Sequence, residues 1–233
     1  MEYTDLELNQ LSFKLARKYD KRSFSQYYFS LLRMKHNLIF SFCYYNDYNS
    51  RVIKIDLFFI SFIIYCTVNA LFFSDAKMHK IYEDKGKFNF LYNLPQIIYS
   101  SIISLLLNTF LKMLALTQSS IIELKKLKRA KDINLDEKEA QLENKLKIKF
   151  IIYFVVNCSL ILFFWYYLSM FCAVYRNTQI HLISDTLISF GLSLIYPFFI
   201  YLLPGFFRIP SLAYKKKNKR KYLYNFSKIL QML

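Results

Sequence analysis

The sequence predicts an all-α membrane protein, a four-span transmembrane helical bundle with an N-terminal interfacial helix. Three observations carry this. Four long runs contain no charged residue. Basic residues alternate between abundant and scarce in the segments separating those runs. The composition, 55% hydrophobic and 19% aromatic at a mean hydropathy of +0.20, is too apolar for an ordinary soluble domain and too aromatic for a disordered chain. Three glycines and four prolines in 233 residues exclude collagen-like and Pro/Gly-rich chains. Four cysteines are too few for a disulfide-stapled secreted domain.

The uncharged runs cover residues 57–73, 88–111, 150–175 and 186–207. A helix crossing about 30 Å of hydrocarbon needs about 20 apolar residues, and each run can supply them with little extension. Residues 24–45 are a fifth apolar stretch, but Arg33 and Lys35 lie near its middle. Each would cost about 2.5–3.5 kcal/mol at a span centre. This stretch reads instead as an amphipathic helix on the membrane surface. Ser23 and Gln26 have capping-box spacing; Phe24, Tyr27, Tyr28 and Leu31 share a face; and Lys21, Arg22, Arg33 and Lys35 form the basic side.

From N- to C-terminus the segments outside the runs hold nine, four, ten, one and eight Lys or Arg. The positive-inside rule then predicts that both termini and the long middle loop are cytosolic. The chain divides into a cytosolic amphipathic segment, 1–54, a four-span domain, 55–207, with a cytosolic helical loop at 112–149, and a polybasic tail, 208–233. The net charge of +16 invites a nucleic-acid reading. The basic cluster Lys215, Lys216, Lys217, Lys219, Arg220 and Lys221 follows a span directly, however, and is expected to contact anionic inner-leaflet lipid at about 1 kcal/mol per residue. The expected partners are therefore the bilayer and its anionic lipids, and no nucleic acid. The first 20 residues lack the apolar core of a signal peptide.

The middle loop carries Leu135, Leu142 and Leu146, one to two heptads, which predicts a charged helical extension of the third span rather than a coiled coil. Ser100 with Ser104, and Ser189 with Ser193, have the spacing of small residues at helix–helix contacts. Pro197 and Pro204 lie on one face of the fourth span and predict a kink or hinge. No ionisable residue falls near the middle of a run, which argues against a self-sufficient proton-coupled transporter.

One constellation suggests metal ligation. Asp75, His79 and Glu83 are spaced i, i+4, i+8, and His181 and Asp185 i, i+4, all on the predicted outer side. On helices each set would present imidazole and carboxylate on one side, ligands suited to zinc or calcium. The competing reading is solvated loop charge paired with Lys77, Lys80, Lys85 and Arg176. Glycines at 86, 191 and 205 form no phosphate-binding motif, and GxSxG, HExxH and CxxC are absent. Neither an enzymatic activity nor a cofactor is expected.

Several stretches together have a familiar wording: YDKRSFSQYYFSLLRMKHNLIFSF, NDYNSR, VNALFFSD, MHKIYEDKGKFNFLYNLPQIIYSS, VYRNTQIHLISDTLISFGLSLIYPF and LLPGFFRIP. They resemble the multi-span C-terminal region of very large, cysteine-rich protist surface proteins of the cysteine repeat modular type. The resemblance covers roughly residues 10–115 and 147–212. It implies a membrane region working with a large cysteine-rich ectodomain, which these 233 residues do not contain. The expected function is thus a non-enzymatic membrane anchor or signal-transmitting module of a large surface protein or complex. The alternative is a cation channel or transport subunit, with the prolines as hinge and the outer acidic and His residues as vestibule.

Overall fold

A computed structural model describes residues 3–36, 38–43, 48–129, 135–213 and 218–231. Among these, eleven α-helices and one 3₁₀ turn are found. They are α1 (Asp5–Gln10), α2 (Phe13–Tyr19), α3 (Phe24–Lys35), α4 (Arg51–Leu71), α5 (Asp75–Glu83), α6 (Phe90–Ala115), α7 (Gln118–Arg129), α8 (Leu135–Val174), α9 (Gln179–Ile200), α10 (Leu202–Ala213) and α11 (Asn218–Leu230). Four stretches are long and apolar enough to cross a membrane: α4, α6, α8 and the pair α9–α10. The all-α, four-span reading holds.

The chain forms two compact units, 49–194 and 1–48 with 195–233. The N-terminal segment and the tail belong to a single unit, which also takes the last part of α9 and all of α10.

In unit 49–194, α4 is central and packs on α6 and α8, which also pack on each other. Its apolar residues Ile53, Leu57, Ile60, Ile64 and Val68 recur at helical spacing and meet Leu111 and Ala115 of α6 and Tyr153 and Phe164 of α8. Of its most apolar window 56% is buried, against 28% for α6 and 17% for α8. The latter two turn Leu106, Met113, Leu162 and Trp165 outward, an apolar surface suited to lipid. On α6 the inward face mixes apolar Ile97, Leu111 and Ala115 with small or polar Asn93, Ser100, Ser104 and Asn108, all buried. Both serine pairs, Ser100/Ser104 and Ser189/Ser193, are buried, as their spacing predicts.

Helix α8 runs 40 residues without a break, about 60 Å at about 1.5 Å per residue, twice a bilayer core. The charged loop is therefore largely a helical extension of the third span, with α7 packed against it. Two side chains fix the α6–α7 corner. Asn49 Oδ1 accepts from the Thr117 and Gln118 amides at 3.0 and 3.2 Å, and the Lys149 ammonium donates to the Leu116 carbonyl at 2.6 Å. These serve backbone groups that a helix end leaves open.

In the second unit, α3 starts with the predicted capping box. The Ser23 amide donates to Gln26 Oε1 at 2.9 Å and the Gln26 amide to Ser23 Oγ at 3.3 Å. The apolar face, however, meets protein rather than lipid. Tyr27 and Leu31 are fully buried, α3 packs on α1 and α10, and the Phe24 ring meets that of Phe206 at a tilt of 44°. The approach to α10 is close: a Cβ at Gly205 would lie 2.7 Å from Phe24 Cε2.

Candidate functional site: buried ion pairs in each unit

Helix α5 begins with Ser74, whose Oγ accepts from the Lys77 amide at 3.3 Å, and ends in a left-handed turn at Lys85 and Gly86. Its outer face carries Asp75, His79 and Glu83, as the sequence spacing predicts. His79 Nε2 lies 3.3 Å from Glu83 Oε1, Lys80 bridges Glu83 and Asp84, and Asp75 accepts from the Tyr175 hydroxyl at 3.4 Å. All three are solvent-exposed. His181 and Asp185 are both buried on α9. The two sets are not brought together, and among the described residues no group of three His, Cys, Asp or Glu could hold a metal.

The opposite face of α5 sends Lys77 inward, where it pairs with Asp185; their side chains are 4% and 0% exposed. The competing reading had this pair in solvent. The pair belongs to a closed hydrogen-bonded ring drawn from four helices. The Lys77 ammonium donates to Asp185 Oδ2 on α9 and to Gln96 Oε1 on α6 at 2.8 Å. Gln96 Nε2 donates to the Asn69 carbonyl on α4 at 3.3 Å. Asn69 Nδ2 donates to Ser189 Oγ at 2.8 Å, and that hydroxyl donates to the Asp185 carbonyl at 2.8 Å. Burial pushes the Lys77 ammonium below the ordinary lysine range, against the opposing pull of Asp185.

Farther along the same unit, Asp56 of α4 accepts from the Tyr153 hydroxyl at 2.5 Å and from Asn157 Nδ2 at 2.7 Å, both on α8.

The other unit is built around Arg208, in the middle of α10 and fully buried. Its guanidinium donates to Asp20 Oδ2 at 2.9 and 3.2 Å, and to the carbonyls of Leu8 and Asn9 at 2.7 and 3.2 Å. Those carbonyls close the last turn of α1, which has no basic residue of its own there. Arg208 supplies the positive charge that the end of a helix favours. Only a planar fork of five donors serves a carboxylate and two carbonyls at once. The rings of Tyr27 and Tyr224 lie 5.1 and 4.9 Å from the guanidinium. Arg22 takes the other side of Asp20, at 2.8 Å, and reaches Asn9 Oδ1 and Ser30 Oγ. Burial alone would raise the Asp20 carboxyl, but Arg22 and Arg208 hold it below the usual carboxylate range. The Tyr224 hydroxyl of α11 donates to the Leu11 carbonyl at 2.8 Å, closing the unit.

Of the predicted hinge residues, Pro197 lies inside α9, which continues past it to Ile200. The break comes at Tyr201, between α9 and α10. Pro204 accounts for it: a proline cannot donate to the Ile200 carbonyl, and its ring crowds that oxygen. In the first turn of a new helix the missing N–H is harmless. The Tyr28 hydroxyl takes the Phe198 carbonyl at the break, at 3.0 Å. Of the predicted lipid-contacting residues, Lys215, Lys216 and Lys217 lie outside the described residues. Lys219, Arg220 and Lys221 fall in α11, and Lys221 is exposed.

The sequence places Lys77 among solvated loop charges and gives no sign that Lys77 or Arg208 is buried. Comparison with known proteins finds no matching family model, no matching curated protein and no matching solved structure.

Proposed function

We propose that the chain is a non-enzymatic, multi-pass membrane protein acting as an anchor or signal-transmitting module of a large surface protein or complex. The Arg208 cluster carries this reading. A guanidinium just past the fourth apolar run is the centre on which α1, Asp20 and α11 assemble. Whatever pulls or turns the last span is then felt directly by those N-terminal and C-terminal helices. The positive-inside rule favours a cytosolic location for this unit. The basic residues around Lys221 favour contact with anionic lipid. The resemblance to the membrane region of large cysteine-rich surface proteins favours such a protein as partner.

The experiment is purification of the full chain from its native membrane in mild detergent. The expected result is a stoichiometric complex with a large cysteine-rich membrane protein that Asp20→Ala weakens, and no ion flux after reconstitution. A chain that runs as a small homo-oligomer and conducts ions would overturn the reading.

A second reading, a cation-transport subunit, is favoured by the Lys77–Asp185 pair. Ionisable groups buried among apolar spans often mark ion pathways.

A further inference from the structure

The Lys77 ring leaves two acceptors over. Asp185 Oδ1 and the Asn69 side-chain oxygen are buried without a hydrogen-bond partner, on residues that are both 0% exposed. Ser189 ties these residues together, receiving the Asn69 amide and donating to the Asp185 carbonyl. A carboxylate oxygen and an amide oxygen are acceptors only, so what completes them is a cation or a donor. Lys77 is the positive charge that balances Asp185. Its ammonium lies 5.0 Å from the Phe73 ring centroid and already donates to Gln96.

We propose that Asp185 and Asn69 form a monovalent-cation site, of the sodium type, in which a sodium ion on the two open oxygens competes with the Lys77 ammonium for the Asp185 carboxylate and releases it. Exchange of one monovalent cation for another keeps the buried site neutral. A divalent ion beside a single carboxylate would leave a buried charge uncompensated. Carboxylate and amide oxygens are hard ligands, suited to alkali and alkaline-earth ions rather than to soft transition metals. His181, one turn before Asp185 on α9, and Lys77 on α5 are the titratable neighbours. Displacement would release α5 from the ring and so report the ion at the outer loop. The inference rests on unit 49–194 and uses nothing of the Arg208 cluster, so either proposal can fail while the other stands.

The test is thermal unfolding of the purified full chain in detergent, titrated with sodium chloride against choline chloride at constant ionic strength. Lys77→Gln removes the competing occupant and should respond at about tenfold lower sodium than the native chain. Asp185→Asn should not respond. A Lys77→Gln chain indifferent to sodium, or an Asp185→Asn chain that responds as the native one does, would overturn the proposal. A second measurement needs no variant: acylation of Lys77 by an amine reagent, read by peptide mass spectrometry. Sodium should speed it relative to choline, and an unchanged rate would contradict displacement.

Discussion

Arg208 and Lys77 are buried cations in opposite circumstances. Arg208 has a carboxylate, two carbonyls and two aromatic faces, and Arg22 shares its carboxylate. Removing Asp20 would take the carboxylate from the buried Arg208 and leave Arg22 only Asp5, 3.7 Å away. Asp20→Ala should therefore cost about 3–5 kcal/mol, read as lost amide-exchange protection across α1 and α2. Arg208→Lys keeps the charge but not the fork. It should cost about 1–3 kcal/mol, since α1 carbonyls lose their donors, and the loss should concentrate at α1. The depressed Asp20 carboxyl also sets a pH dependence. A group titrating lower in the folded than in the unfolded chain contributes stability at pH values above its unfolded pKa of about 3.9, and that stability is lost as pH falls through the folded value. Protection of α1 and α2 should thus be flat from neutral pH to about 5 and fall in more acidic buffer, and Asp20→Asn should abolish that dependence.

Elements differ in how much of them the sequence revealed. The spans were legible because hydrocarbon excludes charge, so an uncharged run needs no knowledge of its neighbours. The same local logic exposed the Ser23–Gln26 box, the serine pairs and the extension of α8. It failed where the deciding partner is remote in sequence. Lys77 sits in a short connecting segment with three acidic residues, Asp75, Glu83 and Asp84, and reads as solvated; its partner is 108 positions away. Asp20 and Arg208 are 188 apart. The apolar face of α3 was read correctly as apolar, but periodicity does not say whether lipid or α10 covers it. Two substitutions probe these elements. Gly205→Val should force Phe24 aside and loosen α3 from α10, and Phe24→Ala in the same chain should recover part of the loss, read by exchange in α3. Pro204→Ala restores a donor to the Ile200 carbonyl. It should let α9 run on through Tyr201 and raise protection there about tenfold, roughly the value of one hydrogen bond.

At the scale of the molecule, two demands divide the chain. Unit 49–194 keeps α4 enclosed and turns the apolar faces of α6 and α8 outward, as a bundle in lipid requires. The other unit gathers short helices, of which α1 has six residues and is too short to persist alone, around charge at the end of the last span. The proposed module, by the positive-inside rule, has its basic segments on one side of the membrane and α5 on the other. Single-cysteine variants on a background lacking the four native thiols test this in sealed vesicles, with a membrane-impermeant thiol reagent. Lys14→Cys, Lys138→Cys and Lys221→Cys should label together from one side, and His79→Cys and Gln179→Cys only from the opposite side. Labelling of His79→Cys from the same side as Lys221→Cys would contradict the account.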